Sequence, residues 1–146
     1  VVQRVSSASV TAQGQPCATI GRGLLTYLGV DRSDTRSDAV QAAQRVGRLR
    51  IFPDVAGRMN LDVFQAGGQV LVVSAFTLMA DARRGRRPSF EAAQKGAQAL
   101  ELYEAFCESL AESGIRVQRG VFGAEMAVQC VNAGPVCILI DSKKTF

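Results

Sequence analysis

Ser74-Ala75-Phe76-Thr77-Leu78 sets two hydroxyls just after Val70-Leu71-Val72-Val73, an apolar run that reads as a buried strand. Residues just beyond the carboxyl end of a central strand line the usual crevice of an α/β sheet. A chain turning there also offers backbone N–H groups to a developing oxyanion. The competing reading is that both hydroxyls only cap the following loop. The chain contains no histidine, so the commonest base of hydrolytic triads is missing. Ser74 or Thr77 would serve as a nucleophile only if Lys95, Lys143, Lys144 or a group on the substrate took its proton.

Two further segments carry chemistry. Arg83-Arg84-Gly85-Arg86-Arg87 gathers four arginines around one glycine, a pattern that neutralises several phosphates and binds them bidentately. As a bare charge run it equally describes a solvated loop. Its place a few residues past Thr77 favours the first reading, because a phosphate chain held there would deliver its end to Thr77. Asn132-Ala133-Gly134-Pro135-Val136-Cys137 lies between two predicted strands, where Gly-Pro by itself signals a turn.

The elements that must position these segments follow from periodicity. Residues 4–11 alternate loosely, Gly14-Gln15-Pro16 supplies turn chemistry, and Ala18-Thr19-Ile20 completes an N-terminal hairpin. Leu24-Leu25-Thr26-Tyr27-Leu28-Gly29-Val30 suits a strand buried on both faces near the middle of the sheet. From Asp34 onward Val40, Ala43, Val46 and Leu49 recur at helical spacing. Arg45, Arg48 and Arg50 stand towards the end of that helix, where cations complement its dipole. A turn over 54–58 precedes a short strand over 59–64, and Gly67-Gly68 precedes a buried strand over 69–73. A second helix is predicted over 89–113, with Ser89 as N-cap and Gly114 as its stop. Its apolar stripe is Leu100, Tyr103, Phe106, Cys107 and Leu110. Strands over 116–119, 127–131 and 136–141 complete the series.

The fold class expected is α/β: a single domain over residues 1–146 with a mixed β-sheet core and two main helices packed on it. Its 146 residues suffice for one core, and hydrophobic residues at 47% beside charged residues at 21% give a globular balance. No apolar run approaches the ~20 residues that span a bilayer, and the first residues lack the apolar stretch of a signal peptide, so no membrane partner and a cytoplasmic location are expected. Cys17, Cys107, Cys130 and Cys137 are too scattered for a zinc site and read as reduced, mostly buried thiols. No metal or cofactor is expected. The net charge of +4 leans towards a polyanionic partner without requiring one.

Taken in order, these segments resemble the D-aminoacyl-tRNA deacylase family, also called D-tyrosyl-tRNA deacylase, from Val1 to Ser142. The family's central Ser-Gln-x-Thr-Leu is matched by Ser74-Ala75-Phe76-Thr77-Leu78. Its Asn-x-Gly-Pro-x-Thr is matched by Asn132-Ala133-Gly134-Pro135-Val136-Cys137. Supporting stretches are Gln3-Arg4-Val5, Gly21-Arg22-Gly23-Leu24-Leu25, Leu49-Arg50-Ile51-Phe52, Met59-Asn60-Leu61, Gly85-Arg86-Arg87-Pro88-Ser89-Phe90 and Phe122-Gly123-Ala124-Glu125-Met126.

The resemblance implies hydrolysis of the ester joining a D-amino acid, or glycine mischarged on tRNA-Ala, to the terminal adenosine of tRNA. It implies a homodimer in which a cis Gly134-Pro135 enters the partner's active site, where two backbone carbonyls occupy the space of an L-side chain. The gate being backbone, many amino-acid types would pass in the D-form. For catalysis it implies either Thr77 as nucleophile or assistance by the tRNA's own 2′-hydroxyl, with backbone N–H groups near Phe76 as oxyanion hole; the lack of histidine fits the second scheme better. It also assigns Arg4 to orienting the Gly-Pro loop, Met126 to the adenosine pocket, and Ser74 and Cys137 to the substrate gate; the cluster Arg83, Arg84, Arg86 and Arg87, read from its charge, is then the candidate tRNA contact.

Two residues depart from the pattern. Ala75 replaces glutamine and removes an amide, and Cys137 replaces threonine and exchanges a strong hydrogen-bond donor for a weak one. They motivate the alternative of a catalytically weakened protein of the same fold that binds tRNA acceptor ends. A cysteine hydrolase built on Cys137 is disfavoured, since no histidine is present to lower the thiol pKa.

Overall fold

The computed structural model describes residues 1–83 and 85–144. The N-terminal hairpin forms as expected, from β1 (Val2–Ala12) and β2 (Gln15–Ile20). β3 (Gly23–Leu28) pairs antiparallel with the first half of β1 on the edge whose second half pairs β2. On its other side β3 runs parallel to β6 (Gln69–Ser74), which runs parallel to β7 (Arg116–Arg119). β8 (Met126–Ile138) runs antiparallel along the other edge of β1. The sheet is mixed, and β3 lies at its centre.

Alternation along β3 and β6 explains why both read as continuously apolar. Leu24, Val70 and Val72 face the helices, packing with Val46, Phe106 and Leu110. Leu25, Leu71 and Val73 point the other way, into a second core with Val5, Ala8, Val10, Ala18 and Ile20 from β1 and β2. The sheet therefore curls around one core and carries α1 (Arg36–Gly47) and α2 (Gly96–Glu112) on the other. The start of α1 is fixed by a capping box: the Thr35 side chain accepts the Asp38 N–H while Asp38 accepts the Thr35 N–H, worth about 1 kcal/mol. The 54–58 turn joins β4 (Phe52–Pro53) to β5 (Met59–Leu61) as a small hairpin of its own.

Three expectations need correction. The second helix begins at Gly96, not Ser89. The intervening backbone is committed elsewhere: Arg32 donates to Ala92 O at 2.9 Å and Gln94 to Val30 O at 2.8 Å, so no helical ladder forms. β5 ends at Leu61 because Asp62 and Gln65 exchange hydrogen bonds that close a turn. The two strands predicted over 127–131 and 136–141 merge into the single strand β8, which ends at Ile138 and leaves 139–141 outside the sheet, and Gly134-Pro135 lies within it.

The thiols also differ from expectation. Cys17, Cys130 and Cys137 are exposed, and only Cys107 is buried. Burial pushes the Cys107 thiol up to about 11, so below that pH it stays neutral. Iodoacetamide at pH 8, read by mass spectrometry of the native protein, is expected to label Cys17, Cys130 and Cys137 and to leave Cys107 unmodified until the fold opens. Among the described residues, no helix is long and apolar enough to cross a membrane.

Candidate active site

Ser74 is the last residue of β6, and the chain breaks from the sheet at Ala75, whose N–H donates to Leu28 O at 2.8 Å. A 3-10 turn follows over Phe76–Met79. Its first hydrogen bond runs from the Leu78 N–H to Ala75 O at 3.1 Å, so the N–H groups of Phe76 and Thr77 stand ahead of the ladder, as at any helical start. Both side chains are exposed. The position-75 N–H is spent on the sheet; the donors on offer to an oxyanion are those of Phe76 and Thr77.

The seat of this turn depends on Gly29, which the sequence presents only as the tail of an apolar run. A Cβ at Gly29 would meet Met79 Cε at 2.8 Å and Leu78 Cβ at 2.9 Å, so any larger residue pushes the turn off the strand end. The Phe76 ring lies edge-on against Phe90, with centroids 5.3 Å apart, and ties the turn to the loop that follows.

Among the described residues, neither the Ser74 nor the Thr77 hydroxyl hydrogen-bonds to a side-chain base. Lys143 is committed elsewhere: its Nζ pairs with Asp34 at 2.9 Å and Asp31 at 3.6 Å, and hydrogen-bonds to Ser33 Oγ. The Asp34 hydrogen bond raises the Lys143 pKa further, which removes it as a base. Around the end of β6, Gly120 donates to Val72 O at 2.9 Å, as does the Tyr103 hydroxyl at 3.0 Å. Phe122 lies 5.5 Å from Tyr103, ring to ring. Met126 lies against Gly120, where a Cβ would come within 2.8 Å of its sulfur. Met126 therefore stands beside the strand end that leads to Ser74.

The second segment is a bulge in β8. Gln3 pairs with Cys137 and Val5 with Asn132, so Arg4 alone stands opposite residues 133–136, and the extra residues protrude. Arg4 holds them, donating from Nε to Ala133 O at 3.0 Å and from Nη1 to Ile51 O. Asn132 Oδ1 accepts the Val136 N–H at 3.2 Å, and Val136 anchors the bulge in the core. Gly134 has φ +128, and a Cβ there would meet Arg4 Nη2 and Val136 Cγ2, each at 2.9 Å. The Gly134-Pro135 peptide is cis, and both residues are exposed. Cys137 Sγ takes amide N–H groups from Gln3 at 3.4 Å and Asn132 at 3.7 Å. Gln3 and Asn132 belong to the two motifs, and a polar residue at each flank of the bulge is the sequence signal of their role.

The structure does not join these two segments within one chain. Arg4 is in register with Leu24 of β3, whereas Ser74 is in register with Leu28. That offset is about 13 Å along the strands, and β8 and β6 lie about 14 Å apart across the sheet.

The arginine loop is closed at its base by paired hydrogen bonds between Asp81 and Ser89 at 2.8 and 2.9 Å. Arg83 is not available as a free cation: it forks onto Asp81, Nε to Oδ1 at 2.8 Å and Nη2 to Oδ2 at 2.6 Å. The pairing holds the Asp81 carboxyl well below the usual carboxylate range. Arg86 and Arg87 are exposed and without partners among the described residues. Arg84 lies outside the described residues.

A family model described as D-Tyr-tRNA(Tyr) deacylase matches residues 1–141. The chain is 53% identical to a D-aminoacyl-tRNA deacylase of Anaeromyxobacter dehalogenans, over all of this chain and 98% of the relative. It is 50% identical to one of Thermotoga petrophila at the same coverage. Among solved structures, a c-Myc DNA unwinding element binding protein superposes with TM-score 0.86 at 36% identity, covering 92% of both chains. A probable eukaryotic D-amino acid tRNA deacylase shares the fold with TM-score 0.78 at 16% identity, covering 92% of this chain and 93% of that one.

Proposed function

The chain belongs to the D-Tyr-tRNA(Tyr) deacylase family, and from that premise we propose that it is a hydrolase that cleaves the ester of D-aminoacyl-tRNA and of glycyl-tRNA mischarged on tRNA-Ala. The observation that carries the reading is the pair of uncommitted N–H groups at Phe76 and Thr77, at the end of a central strand, with no side-chain base hydrogen-bonded to the neighbouring hydroxyls among the described residues. Two aligned N–H donors stabilise the charge that develops on the ester carbonyl oxygen. The proton carrier is then the substrate's own 2′-hydroxyl, next to the ester. Water adds to the carbonyl, the 2′-hydroxyl takes the water's proton as it gives its own to the 3′-oxygen, the bond to the 3′-oxygen breaks, and the D-amino acid and free tRNA leave. Met126, near the strand end, borders the adenosine.

Chirality is set by the bulge. Gly134 and Pro135 project from the edge strand, held by Arg4, and enter the site of a second subunit, where their carbonyls fill the space of an L-side chain. The separation of bulge and turn within one chain supports this arrangement, as does a cavity of about 850 Å³ whose walls include Leu78 and Met79 but neither Phe76 nor Thr77. A homodimer completes the site. The RNA partner is held by Arg86 and Arg87, with Arg83 largely neutralised. Arg86→Ala/Arg87→Ala is expected to raise KM for D-tyrosyl-tRNA about tenfold and flatten its salt dependence, while Arg83→Ala changes KM less than threefold; steady-state kinetics at two salt concentrations checks both. A tRNA substrate fits a cytoplasmic location.

The test is release of D-tyrosine from D-tyrosyl-tRNA by the pure protein, with L-tyrosyl-tRNA spared. Ala75 and Cys137 favour one second reading, a weakened protein that binds acceptor ends. No turnover in the wild type with recovery in Ala75→Gln/Cys137→Thr would establish it. Full activity in Cys137→Ser excludes a thiol nucleophile.

A further inference from the structure

Past the gate, the chain forms one wall of a groove of about 540 Å³, with residues 138–140 facing Gln41, Gln44, Arg45 and Arg48 of the C-terminal half of α1 and its cap. No carboxylate lines it. Arg45 Nη1 donates to Asp141 O at 2.8 Å, which pins that guanidinium at the groove's end. The Arg48 guanidinium has no partner among the described residues. Leu139, on the opposite wall, is 60% exposed.

Arginines near a helix C-terminus stabilise the helix by complementing its dipole, which accounts for their sign. It does not account for the Gln44 amide beside them, an exposed leucine across from them, and a site directly continuous with the gate strand; the Gln41 amide is already given to Ser37 Oγ at 3.0 Å. Guanidinium forks and the Gln44 amide against an apolar wall suit a sugar–phosphate backbone, with phosphates on the α1 side and ribose against Leu139.

We infer that this groove takes the phosphate backbone of the tRNA acceptor arm, on the subunit that lends its gate rather than the one that holds the ester. The inference rests on the two-subunit deacylase reading and extends its RNA contact beyond the arginine loop. Each D-aminoacyl-tRNA then touches both subunits twice: ester and arginine loop on one, gate and α1 groove on the other.

Arg45→Gln/Arg48→Gln keeps good helix formers and removes both charges. Its expected effects are a tenfold or greater rise in KM for D-tyrosyl-tRNA, a similar loss of affinity for uncharged tRNA in filter binding, and a log–log salt slope smaller by about 1.4–1.8, the loss of two phosphate contacts. Hydrolysis of D-tyrosyl-adenosine, which has no stem, changes less than twofold. Gln44→Glu, which puts a carboxylate into the groove and leaves both arginines in place, weakens tRNA binding likewise. Arg36→Ala, at the far end of α1 and paired with Glu108, is the control and behaves as wild type. Wild-type KM, affinity and salt slope in both groove variants overturn the inference while leaving the deacylase reading intact. Failure of the wild type to cleave either substrate overturns that reading instead, and uncharged-tRNA binding by the groove variants still decides the groove.

Discussion

Gly134→Ala is expected to lower discrimination between D- and L-tyrosyl-tRNA by about 100-fold, equivalent to about 2.7 kcal/mol, chiefly by admitting the L-ester. The reason is local. Gly134 occupies φ +128, and its missing Cβ is the space taken by Arg4 Nη2 and Val136 Cγ2 at 2.9 Å each. An alanine there strains the backbone by about 1–3 kcal/mol and must displace either the arginine or the anchoring valine. Either shift moves the carbonyls of the bulge, and a filter that works by occupying space fails when that space opens by a fraction of an ångström. Parallel kinetics on the two charged tRNAs measure the ratio. A melting curve within a few degrees of wild type shows that the bulge, not the fold, was altered. Retained discrimination in a folded variant removes Gly134 from the filter.

The second large effect concerns the source of the base. With D-tyrosyl-tRNA ending in 2′-deoxyadenosine, single-turnover cleavage is expected to fall by about 1,000-fold, within the range of general-base contributions, while Thr77→Ala on normal substrate loses less than tenfold. The Thr77 hydroxyl is exposed and has no basic partner among the described residues, and Lys143 is held by Asp31 and Asp34. A Thr77 nucleophile predicts the reverse: a collapse in Thr77→Ala and a mild effect of the deoxy sugar.

Much of this was legible in the sequence because the elements concerned are set by local pattern. The hairpin, both faces of β3 and β6, the apolar stripe of α2 and the Gly114 stop all follow from periods of two and 3.6 and from turn residues. What was illegible depended on partners distant in sequence. The start of α2 was displaced because residues 92 and 94 pair with residues 30–32, and no helical signal registers a competing strand-like contact. Gly134-Pro135 read as a turn between strands because nothing local says that β1 continues past it, with Arg4 holding the bulge open. Ser74 to Leu78 was found through hydroxyls, yet the groups the structure leaves uncommitted there are backbone N–H groups; the Ala75 N–H is not among them, since Leu28 O holds it. The sequence presents the four arginines as equivalent, whereas in the fold Asp81 pairs with Arg83.

In the proposed dimer, gate and chemistry of each site come from different subunits. Phe76→Pro removes one oxyanion donor at the first position of a helical turn, where proline is tolerated, and is expected to slow cleavage by about 100- to 1,000-fold. The decisive measurement is the D- and L-tyrosyl-tRNA activity of a heterodimer of Phe76→Pro and Gly134→Ala chains, purified through two different tags. Its one competent site, on the Gly134→Ala chain, receives the intact gate of the Phe76→Pro chain, so it should cleave the D-ester and spare the L-ester. Cleavage of the L-ester as in the Gly134→Ala homodimer would mean that each chain gates its own site.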